Sequence, residues 1–232
     1  KPTTATAPNA SAASSSSKPI KLLTLFRHGE SLAQCCADKK IRSVNPELRD
    51  AKLSSRGKRD AQSLGVKDAT IKQAPFQLAV CSPLSRSIQT CCLALKSRQD
   101  VSIVAHPFAA EFGRGSLQGI ENTGRSVEEL RQDVELSSLP RFLDIDFSLV
   151  EAAGNTWWKL PNGVSDYATR LELFRAWLQA RPERVIMFTA HGHVFQCLMQ
   201  TQAPMTNCKI MKAAMDNNGK ICFFNTPLST FM

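Results

Sequence analysis

Apolar residues gather into short runs separated by polar stretches that carry glycine or proline. Leu22-Leu23-Thr24-Leu25-Phe26 stops abruptly at Arg27-His28-Gly29. So short a run, rich in Leu and Phe, predicts a buried strand over about 20–26. Phe76-Gln77-Leu78-Ala79-Val80-Cys81, Val101-Ser102-Ile103-Val104 and Val185-Ile186-Met187-Phe188-Thr189-Ala190 predict three more strands. Ile221-Cys222-Phe223-Phe224 fits a last strand at the edge of the sheet. Between these runs the apolar period lengthens to three and four. Ser54 or Ser55 can cap a helix reaching about Asp68, with Ala61, Leu64 and Gly65 on one side. Ser82-Pro83 opens a helix from Leu84 to about Lys96. Ser126 with Glu129 is a capping-box pattern that starts another. Tyr167, Leu171, Phe174 and Leu178 mark an amphipathic helix over Ser165–Ala180, and a further helix runs from Val194 to about Gln200. Residues 31–52, 105–125 and 137–162 lack a period and are expected to be loops; Trp157-Trp158 in the last are expected to pack rather than bind. Alternating strands and helices predict one α/β domain with a largely parallel sheet over residues 19–232.

Residues 1–18 are almost wholly Ala, Ser, Thr and Pro, so they cannot bury a core and are expected to form a disordered leader. The stretch lacks acidic residues, as transit peptides do, but also lacks arginine and an amphipathic pattern. Eight cysteines occur without a CxxC spacing, mostly in apolar surroundings. They read as reduced thiols, which favours a cytoplasmic setting with an organelle as the alternative. No apolar run approaches the length of a membrane span, so no membrane partner is expected. The net charge of +9 over 232 residues fits an anionic partner. Nucleic acid is not expected, because no recognisable module or interleaving of aromatic and basic residues accompanies the charge.

Three strands end in residues that carry chemistry. The first ends at Arg27-His28-Gly29, the second is followed by Ser82-Pro83-Leu84-Ser85-Arg86, and the fourth ends at His191-Gly192-His193. In a parallel sheet these ends share one edge, where α/β proteins bind ligands. Arginine forks grip phosphate oxygens, an imidazole can attack phosphorus, and a helix N-terminus after Gly192 adds backbone donors. His191 and His193 could form a metal-binding HxH pair, but no third ligand has a suitable spacing, so no metal is expected. His106, before Pro107, reads as structural.

Four ordered motifs carry a resemblance: Arg27-His28-Gly29-Glu30-Ser31, Leu53-Ser54-Ser55-Arg56-Gly57 leading to Ala61, Ser82-Pro83-Leu84-Ser85-Arg86-Ser87-Ile88-Gln89-Thr90, and His191-Gly192. In order and separation they resemble the histidine phosphatase superfamily, also called the phosphoglycerate mutase-like family. Glu30 fits the branch that holds mutases and bisphosphatases. The resemblance implies a three-layer sandwich and a phosphohistidine formed on His28. It implies Arg27, Arg86, His191 and Gly192 as phosphate-binding groups, and Glu111 on the loop after the third strand as proton donor. Gln34 stands where the family commonly has Asn and would contact phosphate with a longer reach. No cofactor is implied, and the partner would be a small phosphorylated substrate. Cofactor-dependent mutases typically carry Glu-Arg-His-Tyr-Gly around the acid. Here the stretch is Glu111-Phe112-Gly113-Arg114-Gly115, and Glu121 to Ser126 is similar to a phosphatase-like group. A phosphatase is therefore the expected activity, with a mutase-type phosphotransferase or a non-catalytic binding protein as alternatives.

Overall fold

A computed structural model describes residues 21–112, 119–159 and 166–223. The expected leader, residues 1–18, lies outside them, as do Ser165 and Gly113-Arg114-Gly115. The described strands are β1 (Lys21–Arg27), β2 (Leu78–Cys81), β3 (Ser102–Ala105), β4 (Ile145–Asp146), β5 (Val185–Ala190), β6 (Ile210–Met215) and β7 (Ile221–Phe223). They form one sheet in the order β4-β3-β2-β5-β1-β6-β7. The pairings from β4 to β1 are parallel, while β6 and β7 pair antiparallel at the other side.

Strand alternation sorts the apolar side chains onto two faces. Leu22, Phe26, Ala79, Cys81 and Met187 belong to one core. Leu23, Leu25, Leu78, Val80, Ile186 and Phe188 belong to the other. Helices packed against these cores include α1 (Ser55–Lys67), α2 (Ser85–Ala94), α3 (Val127–Gln132), α4 (Tyr167–Ala180) and α5 (Gly192–Leu198). Helix α2 covers the first core with Ile88, Cys91 and Cys92. Helices α4 and α5 cover the second with Leu171, Phe174, Leu178, Val194 and Phe195. The result is the expected three-layer sandwich. No helix among the described residues is long and apolar enough to cross a membrane.

Several elements depart from the hydrophobic pattern. Strand β6 pairs along its whole length with Lys21 to Phe26 of β1, yet its Lys212 and two alanines announce no strand. The stretch 31–52 is not simply loop: it holds short helices at Leu32–Cys35 and Lys39–Val44 and a 3-10 turn at Pro46–Leu48. These pieces are too short to show a period. Residues 137–162 likewise include β4 and a helix at Ser148–Ala152. Helix α5 starts at Gly192 rather than Val194, which draws the motif glycine into its first turn. The capping expectations hold: Ser54 accepts from the Gly57 amide at 3.0 Å, and Ser126 and Glu129 close a capping box.

Strand register decides where the chain emerges. Arg27 lies beside Ala190, Cys81 beside Thr189, and Cys81 also beside Ala105. His28, Ser82, His191 and His106 therefore leave the sheet at one level. Two glycines set the loop after β1. A Cβ on Gly29 would lie 2.6 Å from the Gly57 carbonyl oxygen, and one on Gly57 would lie 2.1 Å from the Glu30 carbonyl oxygen. Backbone meets backbone there, and a side chain at either position has no room. Close approach of two backbones, not a positive φ, is what requires glycine at position 29.

A charged network fixes the start of α2 from the outside. Buried Asp50 accepts from the Ser85 amide at 2.8 Å and from Arg125 Nε at 3.0 Å. Arg125 also holds Asp133 at 2.7 Å, and Lys52 reaches the same carboxylate at 2.7 Å. Burial would raise the Asp133 pKa, but hydrogen bonds from Lys52 and Arg125 outweigh it and bring the value to about 2. Asp50 is pushed up by burial, against the pull of Arg125.

Two outcomes are expected. Gly57→Ala forces Cβ into the Glu30 backbone and should destabilise the fold by about 1–3 kcal/mol, read as a lower midpoint in denaturant with an unchanged slope. Asp133 has a folded-state pKa below its ordinary 3.8. Its contribution is therefore complete above that value and is lost as pH falls through about 2. Stability of the wild type should fall more steeply than that of Asp133→Asn between pH 5 and 2, by on the order of 1 kcal/mol. Parallel acid-unfolding curves for the two proteins would contradict this.

Candidate active site

The level strand ends bring the expected residues together. His28 follows β1, Arg86 stands in the first turn of α2, His191 follows β5, and Glu111 lies on the segment after β3. A cavity of about 210 Å³ opens there, lined by Arg27, His28, Gln34, Arg86, Glu111 and His193 among others.

His28 is 3% exposed. Its Nδ1 lies 2.7 Å from the Gly29 carbonyl oxygen. A carbonyl only accepts, so Nδ1 carries the proton and Nε2 keeps its lone pair. Arg86 Nε donates to that Nε2 at 3.3 Å. Burial holds the His28 pKa well below the usual histidine range, and the Arg86 and Arg27 guanidinium groups lower it further. The imidazole is thus neutral, with its unprotonated nitrogen accepting from Arg86.

Arg86 is positioned by groups that its motif does not contain. Its NH1 donates to the Glu121 carbonyl at 2.7 Å, and its NH2 to Asn122 Oδ1 at 2.7 Å. Thr90 Oγ1 donates to the Arg86 carbonyl at 2.7 Å and accepts from the Gly29 amide at 3.0 Å. One helix turn therefore couples the arginine to the His28 loop. Arg27 donates NH1 to the Met205 carbonyl at 2.8 Å, while its Nε is buried without a partner. That unspent donor suits an anion.

His191 is fully buried, with its ring centroid 5.0 Å from that of His28. Its Nε2 pairs with Ser82 Oγ at 2.8 Å, and its Nδ1 is buried without a partner. Burial first, and then Arg86, hold its pKa well below the usual range. Gly192 lies against the Arg27 guanidinium; a Cβ there would sit 3.6 Å from Nε, an ordinary contact. Glu111 accepts from the Phe112 amide at 3.2 Å and the His193 amide at 3.4 Å. Burial raises its pKa, opposed by Arg86.

Gln34 lines the cavity, but its amide is engaged. Oε1 accepts from the Ser31 amide at 3.1 Å and from Asn207 Nδ2 at 3.1 Å, while Nε2 donates to Asn207 Oδ1 at 3.2 Å. Asn207 also donates to the His28 carbonyl at 2.7 Å. Gln34 thus braces the His28 loop, and its extra methylene takes the amide to Asn207.

The remaining candidates separate cleanly. His106 is buried, accepts from the Phe108 amide at 3.1 Å and packs its ring against Phe174 and Trp177, a structural role. His193 lies with its ring centroid 4.5 Å from that of Phe112. Among the described residues no cluster of His, Cys, Asp or Glu could hold a metal ion. Trp157 packs under Gly124 and donates to the Arg125 carbonyl at 2.7 Å. Sequence reasoning missed Asn122, Asn207, Ser82 and Thr90 as supports. Ser82 and Thr90 stood inside a recognised motif, whereas Asn207 is 179 residues from His28 and carries no local signal.

Comparison with known proteins places this geometry. A model of the histidine phosphatase superfamily (branch 1) matches residues 23–225. No curated protein sequence matches. A phosphoglycerate mutase from Bacillus anthracis has a similar fold, at 18% identity and a TM-score of 0.57, covering 93% of this chain and 96% of that one. An alpha-ribazole phosphatase from Shigella flexneri is similar at 20% identity and a TM-score of 0.54, covering 88% and 94%. An ecdysone phosphate phosphatase from Bombix mori, in complex with tungstate, is similar at 12% identity and 0.54, covering 83% and 88%. Identities this low speak for the fold alone. The match of the family model over nearly the whole chain goes further, and the chain belongs to the histidine phosphatase superfamily, branch 1.

Proposed function

We propose that the protein is a phosphatase that hydrolyses a small phosphomonoester through a phosphohistidine on His28, with Glu111 as proton donor. One observation carries this reading. The unprotonated Nε2 of His28 is presented to Arg86, in a cavity that also holds Arg27 and Glu111.

The first step forms a bond from Nε2 to phosphorus and breaks the bond from phosphorus to the ester oxygen. Arg27, Arg86 and His191 stabilise the charge on the phosphoryl oxygens. Buried Arg27 Nε and His191 Nδ1 have no protein partner, so these atoms can engage phosphate without giving up a hydrogen bond of their own. The leaving oxygen takes the Glu111 proton, which burial helps the carboxyl to retain. Glu111, now ionised, then takes a proton from water as that water attacks phosphorus and the bond to Nε2 breaks. Inorganic phosphate leaves, and both side chains return to their starting states. Hydrolysis is favoured over mutase chemistry because Glu111-Phe112-Gly113-Arg114-Gly115 lacks the His and Tyr typical of mutases at this place. The eight free cysteines fit a reducing, cytoplasmic setting.

Turnover of an aryl phosphate should be abolished in His28→Ala. Glu111→Gln should lower kcat by about 10²–10⁴-fold on an alkyl phosphate, and by less on an aryl phosphate whose leaving oxygen needs no proton. An equal loss on both would remove Glu111 from the proton-donor role. Silence on the aryl phosphate with interconversion of phosphoglycerates would make the protein a mutase. Silence in both assays from folded protein would make it a binding protein.

A further inference from the structure

The cavity has a third arginine, which the phosphoryl chemistry does not use. Arg42, on the short helix Lys39–Val44, lines the same space as His28 and Arg86. Its side chain is 26% exposed. Arg42 Nε lies 3.5 Å from Glu121 Oε1, an ion pair without a hydrogen bond. Neither terminal nitrogen of its fork has a hydrogen-bond partner among the described residues, and Nε is buried without one. The fork is thus oriented but not satisfied.

Glu121 explains the orientation. A Cβ on Gly119 would sit 2.1 Å from Glu121 Oε2, so the carboxylate is folded tightly onto the Gly119 backbone. The same residue accepts from Arg86 NH1 through its backbone carbonyl at 2.7 Å. One residue therefore sets both the arginine that faces His28 and the arginine at the rim. Their separation is built into the 3-10 turn Ile120–Asn122 rather than left to two independent loops. Lys39 and Lys40, on the same helix as Arg42, make no ion pair among the described residues and add to the positive field. The cavity is about 210 Å³, below the ~300–1,000 Å³ of clefts that enclose drug-sized ligands. It suits a leaving group of a few carbon atoms. Ala33 and Phe112 supply apolar wall for the carbon chain.

We propose that Arg42, held by Glu121, is the specificity-determining residue of the site, selecting small phosphomonoesters whose leaving group carries a second anionic group. The inference rests on the phosphatase reading and names its substrate class. The phosphoryl group occupies Arg27, Arg86 and His191, and the second group, carboxylate or phosphate, receives the open edge of the Arg42 fork. An arginine can take one carboxylate on its Nε side and another anion on its terminal nitrogens, because its five donors lie in a fixed plane.

The test uses the full chain with 3-phosphonooxypropanoate and 3-hydroxypropyl phosphate, which differ by a carboxylate against a hydroxymethyl group. Wild type should favour the first by about 10-fold in kcat/KM, mostly through KM, as a charge-assisted contact provides. The ratio should shrink as salt is raised. Arg42→Met should bring it to about one, Arg42→Lys should keep part of it, and Arg42→Glu should invert it. Propane-1,3-diol bisphosphate separates the two sources: a larger Arg42-dependent gain with this ester makes the second group phosphate, and a smaller one makes it carboxylate. A wild-type ratio near one, or a ratio that survives Arg42→Met, overturns the proposal. Turnover of an aryl phosphate that depends on His28 keeps the phosphatase reading standing in that case. If that turnover fails, calorimetric binding of the same two esters to wild type and Arg42→Met decides the subsite, with equal affinities overturning it.

Discussion

A neutral imidazole has to be kept among guanidinium groups, out of water, with one nitrogen free. The short contact from His28 Nδ1 to the Gly29 carbonyl meets that requirement. It places the ring proton on the far side and leaves Nε2 facing Arg86. The carbonyl stands where it does because Gly29 and Gly57 let two backbones touch. Burial and positive neighbours then act in the same direction, since both disfavour a protonated ring. The site is held together by main-chain geometry first and by charge second.

Around that centre the arrangement is one of supports held by supports. Arg86 is gripped by the Glu121 carbonyl and Asn122, and is linked to the His28 loop through Thr90. The helix it stands on is anchored at Ser85 by buried Asp50, which Arg125 neutralises. Arg125 in turn meets Asp133 and, through it, Lys52. Ordered donors of this kind cost no reorganisation when charge develops on a ligand. Several nitrogens in the cavity remain unspent, and these are what an anion would find.

Motif, core and capping signals were read from the chain because each depends on neighbours in sequence. Ser54, Ser126 with Glu129, and the apolar faces of β1 and α4 are of this sort. Strand β6 was not legible, since its alanines and Lys212 acquire a strand conformation only from pairing with β1. The short helices near Arg42 were not legible either: a helix of six residues shows no period and is stabilised by its surroundings.

By itself the sequence determined the class of fold and the order of its main strands and helices, and it singled out His28, Arg27, Arg86 and His191 as candidates for chemistry, with Glu111 added by the family resemblance. It did so because local hydrophobic periods and contiguous motifs survive in one dimension. Only the tertiary structure decided which groups brace them. Asn207 reaches the His28 carbonyl across 179 residues, Gln34 turns to Asn207 rather than standing free, and Glu121 ties Arg86 to Arg42. Those decisions rest on strand register and on backbone contacts at two glycines, and both are properties of chain segments meeting in space.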